Sequence, residues 1–180
     1  MVFAAIAARA DFVPNHPANA AGLLSYIYGT KALRDLCCPK GWQINRTGNI
    51  ESVYHPGKGL KIIFQNADSA ANPEREPRAI SDKGPAAKTA VEHGQWSLFP
   101  EYETSEAEKN EANASVWYFF VSGSAVEVTA ELSCPKSIED KQFNGFNKRI
   151  AIVKSGEWVD VELTDDQPSQ DFEIQVTRKQ

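Results

Sequence analysis

Residues 116–121 read Val, Trp, Tyr, Phe, Phe, Val with no polar break. Successive side chains of a strand point to opposite faces, so an unbroken apolar run of strand length fits where both faces are covered. The run is therefore expected to be a central strand, and whatever else the chain builds has to pack on both sides of it. Downstream, Ser122, Gly123 and Ser124 supply a turn. Val128, Ala130 and Leu132 then alternate with Glu127, Thr129 and Glu131. The same two-residue period returns at Val159, Val161 and Leu163, and again at Phe172, Ile174 and Val176. With residues 149–153 these segments predict five C-terminal strands with short connections, a largely antiparallel sheet whose apolar face needs helices.

Upstream the period is helical. Val2, Phe3, Ile6 and Ala10 recur at helix spacing, Pro14 and Pro17 break the chain, and Asn19 can cap a helix running to about Leu36. In that helix Leu23, Leu24, Ile27, Tyr28, Leu33 and Leu36 are expected to form the buried stripe, with Ser25, Lys31, Arg34 and Asp35 opposite and Gly29 weakening the middle. From Trp42 the pattern turns strand-like, and the turn from His55 to Gly59 leads into the strand residues 60–64. The expected fold class is α+β: N-terminal helices packed on a mostly antiparallel sheet formed by the 42–65 hairpin region and the five C-terminal strands.

A chain of 180 residues with 42% hydrophobic and 24% charged residues is expected to form a single domain, 1–180. Apolar density falls over residues 66–111, which carry prolines at 73, 77, 85 and 100 and many glutamates, so this stretch reads as a polar insertion or loop. Within it Pro85 is placed to open a short helix ending at Gly94.

Three cysteines, Cys37, Cys38 and Cys134, with the first two adjacent, do not suit a secreted disulfide framework. A reducing, cytoplasmic setting is expected. The apolar residues 2–8 lack the basic flank of a signal peptide, and no stretch approaches the length of a membrane span, so no membrane association is expected. Neither a metal site nor a cofactor motif is announced by any spacing, and none is expected.

Charge is unevenly placed. Residues 1–100 hold eleven Lys or Arg against eight Asp or Glu, and residues 101–180 hold eight against sixteen. Glu127 and Glu131, with Asp160, Glu162 and Glu173, are expected on an acidic outer sheet face able to meet a basic partner. Arg75, Arg78, Lys83 and Lys88, with His93 nearby, could make an anion-binding surface on the proline-rich loop, extended by Lys58 and Lys61. A phosphate loop is excluded at residues 55–59, where the glycine spacing is wrong and Leu60 follows Gly59. Glu139, Asp140 and Lys141 lie in a polar turn, a poor setting for nuclease acids, and Cys134 needs a histidine neighbour to act as a nucleophile.

With no catalytic constellation evident, the sequence favours a non-enzymatic interaction module that binds a macromolecular partner through the 66–111 loop and an adjoining sheet face. A protein partner is favoured, with weak nucleic-acid binding as a lesser possibility. The alternative is a small hydrolase or nuclease assembled from distant turns, using His55, Lys58, His93 or the acids near Glu139.

Overall fold

The computed structural model describes residues 1–93, 110–123 and 127–157. Helices α1 (Val2–Ala10) and α2 (Ala20–Cys37) come first, followed by strands β1 (Gln43–Asn45), β2 (Ser52–His55) and β3 (Leu60–Asn66). Helix α3 (Pro85–His93) precedes β4 (Ser115–Gly123), β5 (Val128–Glu139) and β6 (Gln142–Val153). The six strands form one sheet in sequence order, antiparallel except between β3 and β4. A parallel neighbour cannot be reached through a tight turn, so the chain between β3 and β4 crosses the sheet and carries α3 with it. The fold is α+β.

Residues 116–121 fall in β4, which has β3 on one side and β5 on the other, as the unbroken apolar run requires. Phe119 and Val121 point into a core made with Ala5 and Ile6 of α1, Leu33 and Cys37 of α2, Val53, Phe64, Val128 and Ala130. Val116, Tyr118 and Phe120 point the other way, into a second core with Ile63, Ala67, Ala70, Val91 and Ile138. Both faces are therefore covered, α1 and α2 on one side and α3 with residues 67–84 on the other. In the second core the Tyr118, Phe120, Phe143 and Phe146 rings meet mostly edge to face, with Tyr118 and Phe143 centroids 4.7 Å apart.

Helix α2 is one unbroken helix, but it packs on a different side from the expected stripe. Its buried residues are Ser25, Gly29, Thr30, Leu33 and Cys37, while Leu23, Ile27, Tyr28 and Leu36 are about half exposed. The reason is close approach: the α2 backbone rides on the Phe64 ring at Gly29, where bulkier residues would not fit. Apart from Leu33, which is buried as expected, small residues therefore face the sheet, and Leu23, Ile27, Tyr28 and Leu36 face outward. Asn19 occupies the N-cap position without a side-chain cap hydrogen bond.

The last hairpin is longer than its sequence pattern. β5 continues to Glu139, the turn is made by Asp140 and Lys141 at φ 46° and 62°, and β6 begins at Gln142 rather than near Arg149. Residues 67–93 of the segment read as a polar insertion contribute buried side chains, among them Ala67, Ala70, Pro77, Ala79 and Val91. The strands expected at 158–163 and 172–177 lie outside the described residues. No helix among the described residues is long and apolar enough to cross a membrane.

Candidate binding cleft at the open end of β3

Strand β2 pairs with β3 only as far as Ser52 opposite Ile63, whereas β3 runs on through Phe64, Gln65 and Asn66 beside β4. Past that last pair β2 gives out, and the edge is taken up again only at Asn66, where residues 78–80 run beside the chain and Ala79 bridges Ala67, while α2 packs on one face. On one side α2 is pinned by Asn66: the Ser25 hydroxyl donates to its Oδ1 at 2.8 Å, and its amide donates to the Gly22 carbonyl at 2.9 Å. On the other side the Ile80 amide donates to the Asn66 carbonyl at 3.2 Å, and the Lys83 amide donates to the Lys141 carbonyl at 2.9 Å. Between them lies an open cleft of about 540 Å³.

Its rim is apolar: Leu23 of α2 and Ile80 are 52% and 64% exposed. Its floor is polar: Gln65 and Tyr118 are buried there, with Lys83 beside them. The Lys83 ammonium donates to Gln65 Oε1, while the Gln65 amide donates to the Asn66 carbonyl at 2.9 Å. Lys83 Nζ also lies 5.9 Å from the Tyr118 ring centroid and 5.8 Å from that of Phe143. Burial pulls this ammonium down from the ordinary 10.5 to about 8, and burial likewise raises the Tyr118 hydroxyl.

Three charged residues line the cleft, and two are neutralised by the protein. Glu51 pairs with Arg34 and, at 3.3 Å, with Arg46; Asp82 turns outward to Lys141 at 3.3 Å. Lys83 has no carboxylate partner among the described residues.

Two other cavities are present. One of about 520 Å³ borders α3 and holds Lys61 and Glu111, paired at 3.3 Å. Burial works against the Glu111 carboxylate, yet the Thr47 hydroxyl, Asn45 and Lys61 together hold it below its usual range. That cavity's charges are satisfied from within. The other, of about 500 Å³, lies beside Asp68, Asn72 and Glu127.

The residues singled out from sequence each have partners of their own or stand exposed. Arg75 pairs with Asp68 at 2.5 Å, and the Arg78 amide donates to the same carboxylate at 2.9 Å. Lys88 sits along α3 beside Glu92 at 3.7 Å, and Lys83 is in the cleft. Glu127 is exposed and accepts the Ser155 hydroxyl at 2.5 Å.

Glu131 does not belong to an acidic outer face: it is 1% exposed, because residues 71–75 fold over it. It accepts the Ala71 amide at 2.6 Å and the Ser133 hydroxyl at 2.7 Å, and it pairs with Arg149 at 2.7 Å. Arg149 in turn donates to the Asn72 and Arg75 carbonyls, closing the turn down.

His55 meets Trp42 edge to face at 5.3 Å, Lys58 is exposed in the turn Pro56–Lys58, and Glu139 accepts the Ser137 hydroxyl at 3.3 Å. Cys134 has the Ser115 hydroxyl at 3.9 Å as its neighbour. The His93 side chain lies outside the described residues. No hydrogen bond or ion pair between described residues assembles His55, Lys58 and Glu139 into one group.

Gln65, Asn66, Tyr118, Leu23 and Ile80 were not candidates from sequence. The visible signal was the polar pair Gln65 and Asn66 ending a strand that is apolar but for Lys61. No protein-family model, no curated protein and no solved structure matches the chain.

Proposed function

We propose that the protein is a non-enzymatic binding module that receives a segment of a protein partner in the cleft between residues 80–84 and the open end of β3. The observation that carries this reading is the pairing of an exposed apolar rim, Leu23 and Ile80, with a polar floor, the buried Gln65 and the half-buried Lys83. Ligand clefts combine apolar contacts that supply affinity with a few fixed polar groups that supply orientation. Covering an aliphatic side chain fully is worth about 1.5–3 kcal/mol, so the two rim residues can carry a useful share of the affinity. The reading joins part of the 66–111 segment to the adjoining sheet, through Ile80 and Lys83 on one side and β3 with β4 on the other. A reducing compartment such as the cytoplasm suits the three cysteines, all of them free thiols.

A photo-crosslinking side chain at position 80, compared with one at the exposed position 36 at the far end of α2, tests the reading in lysate. The expected result is capture of a discrete protein at 80 and not at 36. Competition by the unlabelled chain should remove it, and competition by a Leu23→Asp, Ile80→Asp chain should not. Equal capture at both positions, or none at 80, counts against it.

A further inference from the structure

We infer that the segment taken by this cleft carries an Asp or Glu carboxylate next to an apolar side chain, the carboxylate pairing with Lys83 Nζ while the apolar group rests between Leu23 and Ile80. The inference rests on the protein-binding reading and deepens it by naming the chemistry of the partner.

The argument is one of charge accounting. Among the charged residues lining the cleft, Glu51 is matched by Arg34 and Arg46 and Asp82 by Lys141, which leaves Lys83 as the one unmatched charge there among the described residues. Buried charges are ordinarily paired, because an ammonium removed from water is costly unless an anion or several acceptors replace the lost hydration. Lys83 has three donors and gives one to Gln65 Oε1. The aromatic faces of Tyr118 and Phe143 offer only weak compensation. An incoming carboxylate has the acceptors to complete the set and the single negative charge to balance it.

A phosphate fits less well. It would bring more negative charge than one lysine neutralises, and no guanidinium lines the cleft, Arg34 and Arg46 being committed to Glu51. The position of the cation also sets the order of groups along the ligand. Lys83 is set back beside Gln65, and the aliphatic side chains stand at the mouth, so the acid enters and its apolar neighbour stays at the rim.

The experiment is selection of short random peptides displayed on phage against the immobilised full chain, keeping those blocked by Ile80→Asp. A selected peptide and its counterpart with the acid replaced by the amide are then titrated against wild type, Lys83→Met and Lys83→Arg. The expected result is an acid at a fixed place beside an apolar residue, with loss of the acid weakening binding by about tenfold on wild type and Lys83→Arg and by less than about twofold on Lys83→Met. Carbodiimide coupling gives a readout on the unsubstituted chain. The activated peptide carboxylate is attacked by the Lys83 amine, an amide bond forms, and the carbodiimide leaves as its urea, so mass spectrometry should find the peptide on Lys83. Ile80-sensitive peptides without an acid, or an acid whose effect persists in Lys83→Met and couples elsewhere, overturn the inference and leave the binding reading standing. Failure to select any Ile80-sensitive peptide overturns both.

Discussion

Gly29 lies directly over the ring of Phe64: a Cβ at residue 29 would stand 2.3 Å from Cζ of that ring. Phe64 is fully buried and cannot swing away, so the space is closed. Glycine in a helix interior ordinarily costs about 1 kcal/mol relative to alanine, but here overpacking of about 1–3 kcal/mol opposes that gain. Gly29→Ala should therefore destabilise the chain. Gly22, in the same helix, has nothing within 4 Å of its would-be Cβ, so Gly22→Ala should stabilise by about 0.5–1 kcal/mol. Urea midpoints of the two variants should move in opposite directions; a stabilised Gly29→Ala would mean that α2 does not ride on Phe64.

The Glu131–Arg149 pair predicts an asymmetry. Glu131 is wholly buried, whereas Arg149 retains 24% exposure. Arg149→Met would strand a buried carboxylate, at a cost of about 3–5 kcal/mol, and would release the Asn72 and Arg75 carbonyls. Glu131→Gln keeps an acceptor for the Ala71 amide and leaves a guanidinium that can still reach water, so it should cost about 1–2 kcal/mol. Chemical denaturation of both variants measures the difference, and limited proteolysis near residues 71–75 should rise first in Arg149→Met. Equal losses would contradict the asymmetry.

Lys83 links stability to pH with a definite sign. Its pKa falls from 10.5 to about 8 on folding, so between those values the unfolded chain binds the proton that the folded chain has released. Stability therefore rises with pH across this window, by up to about 3 kcal/mol, and below about pH 8 the full cost of the buried charge is present. Lys83→Met should be more stable than wild type at pH 7.5 and should flatten the rise. The comparison is cleanest below pH 10, because the buried Tyr118 hydroxyl, raised by burial, acts in the opposite direction once unfolded tyrosine ionises. A wild type whose stability follows that of Lys83→Met from pH 7.5 to 9.5 would show that Lys83 is solvated.

The sheet was legible because β4, β5 and the hairpin strands carry period-two or unbroken apolar patterns, and α3 because Pro85 marks its start. Four features were not, each for a physical reason. The buried face of α2 is defined by small residues, and hydrophobicity alone cannot tell a stripe that packs from one left outside when close approach decides. Glu131 looks like its exposed neighbour Glu127, since the turn and the arginine that cover it come from residues 71–75 and 149. The early part of β6 hides Phe143 and Phe146 between Asn144, Gly145 and Asn147, which read locally as turn residues. The cleft arises from the different lengths of β2 and β3, a register property that no single segment encodes.

Neutralisation of the loop cations within the chain carries the last prediction. Nucleic-acid binding through Arg75, Arg78, Lys83 and Lys88 requires that they present charge together, yet Arg75 is paired with Asp68, Lys88 with Glu92, and Lys83 is half-buried in the cleft. The chain's net charge of −5 adds a weak general repulsion of phosphate. Each cation that neutralises a phosphate contributes about one to the slope of log affinity against log salt. Labelled single- and double-stranded DNA and RNA, titrated at low and moderate salt, should therefore bind weakly, with a slope near one at most. Replacing Arg75 and Lys88 together should leave that slope nearly unchanged. A steep slope in wild type that falls by about two in the double variant would mean that the ion pairs open to engage phosphate, and would return the loop to the centre of the protein's function.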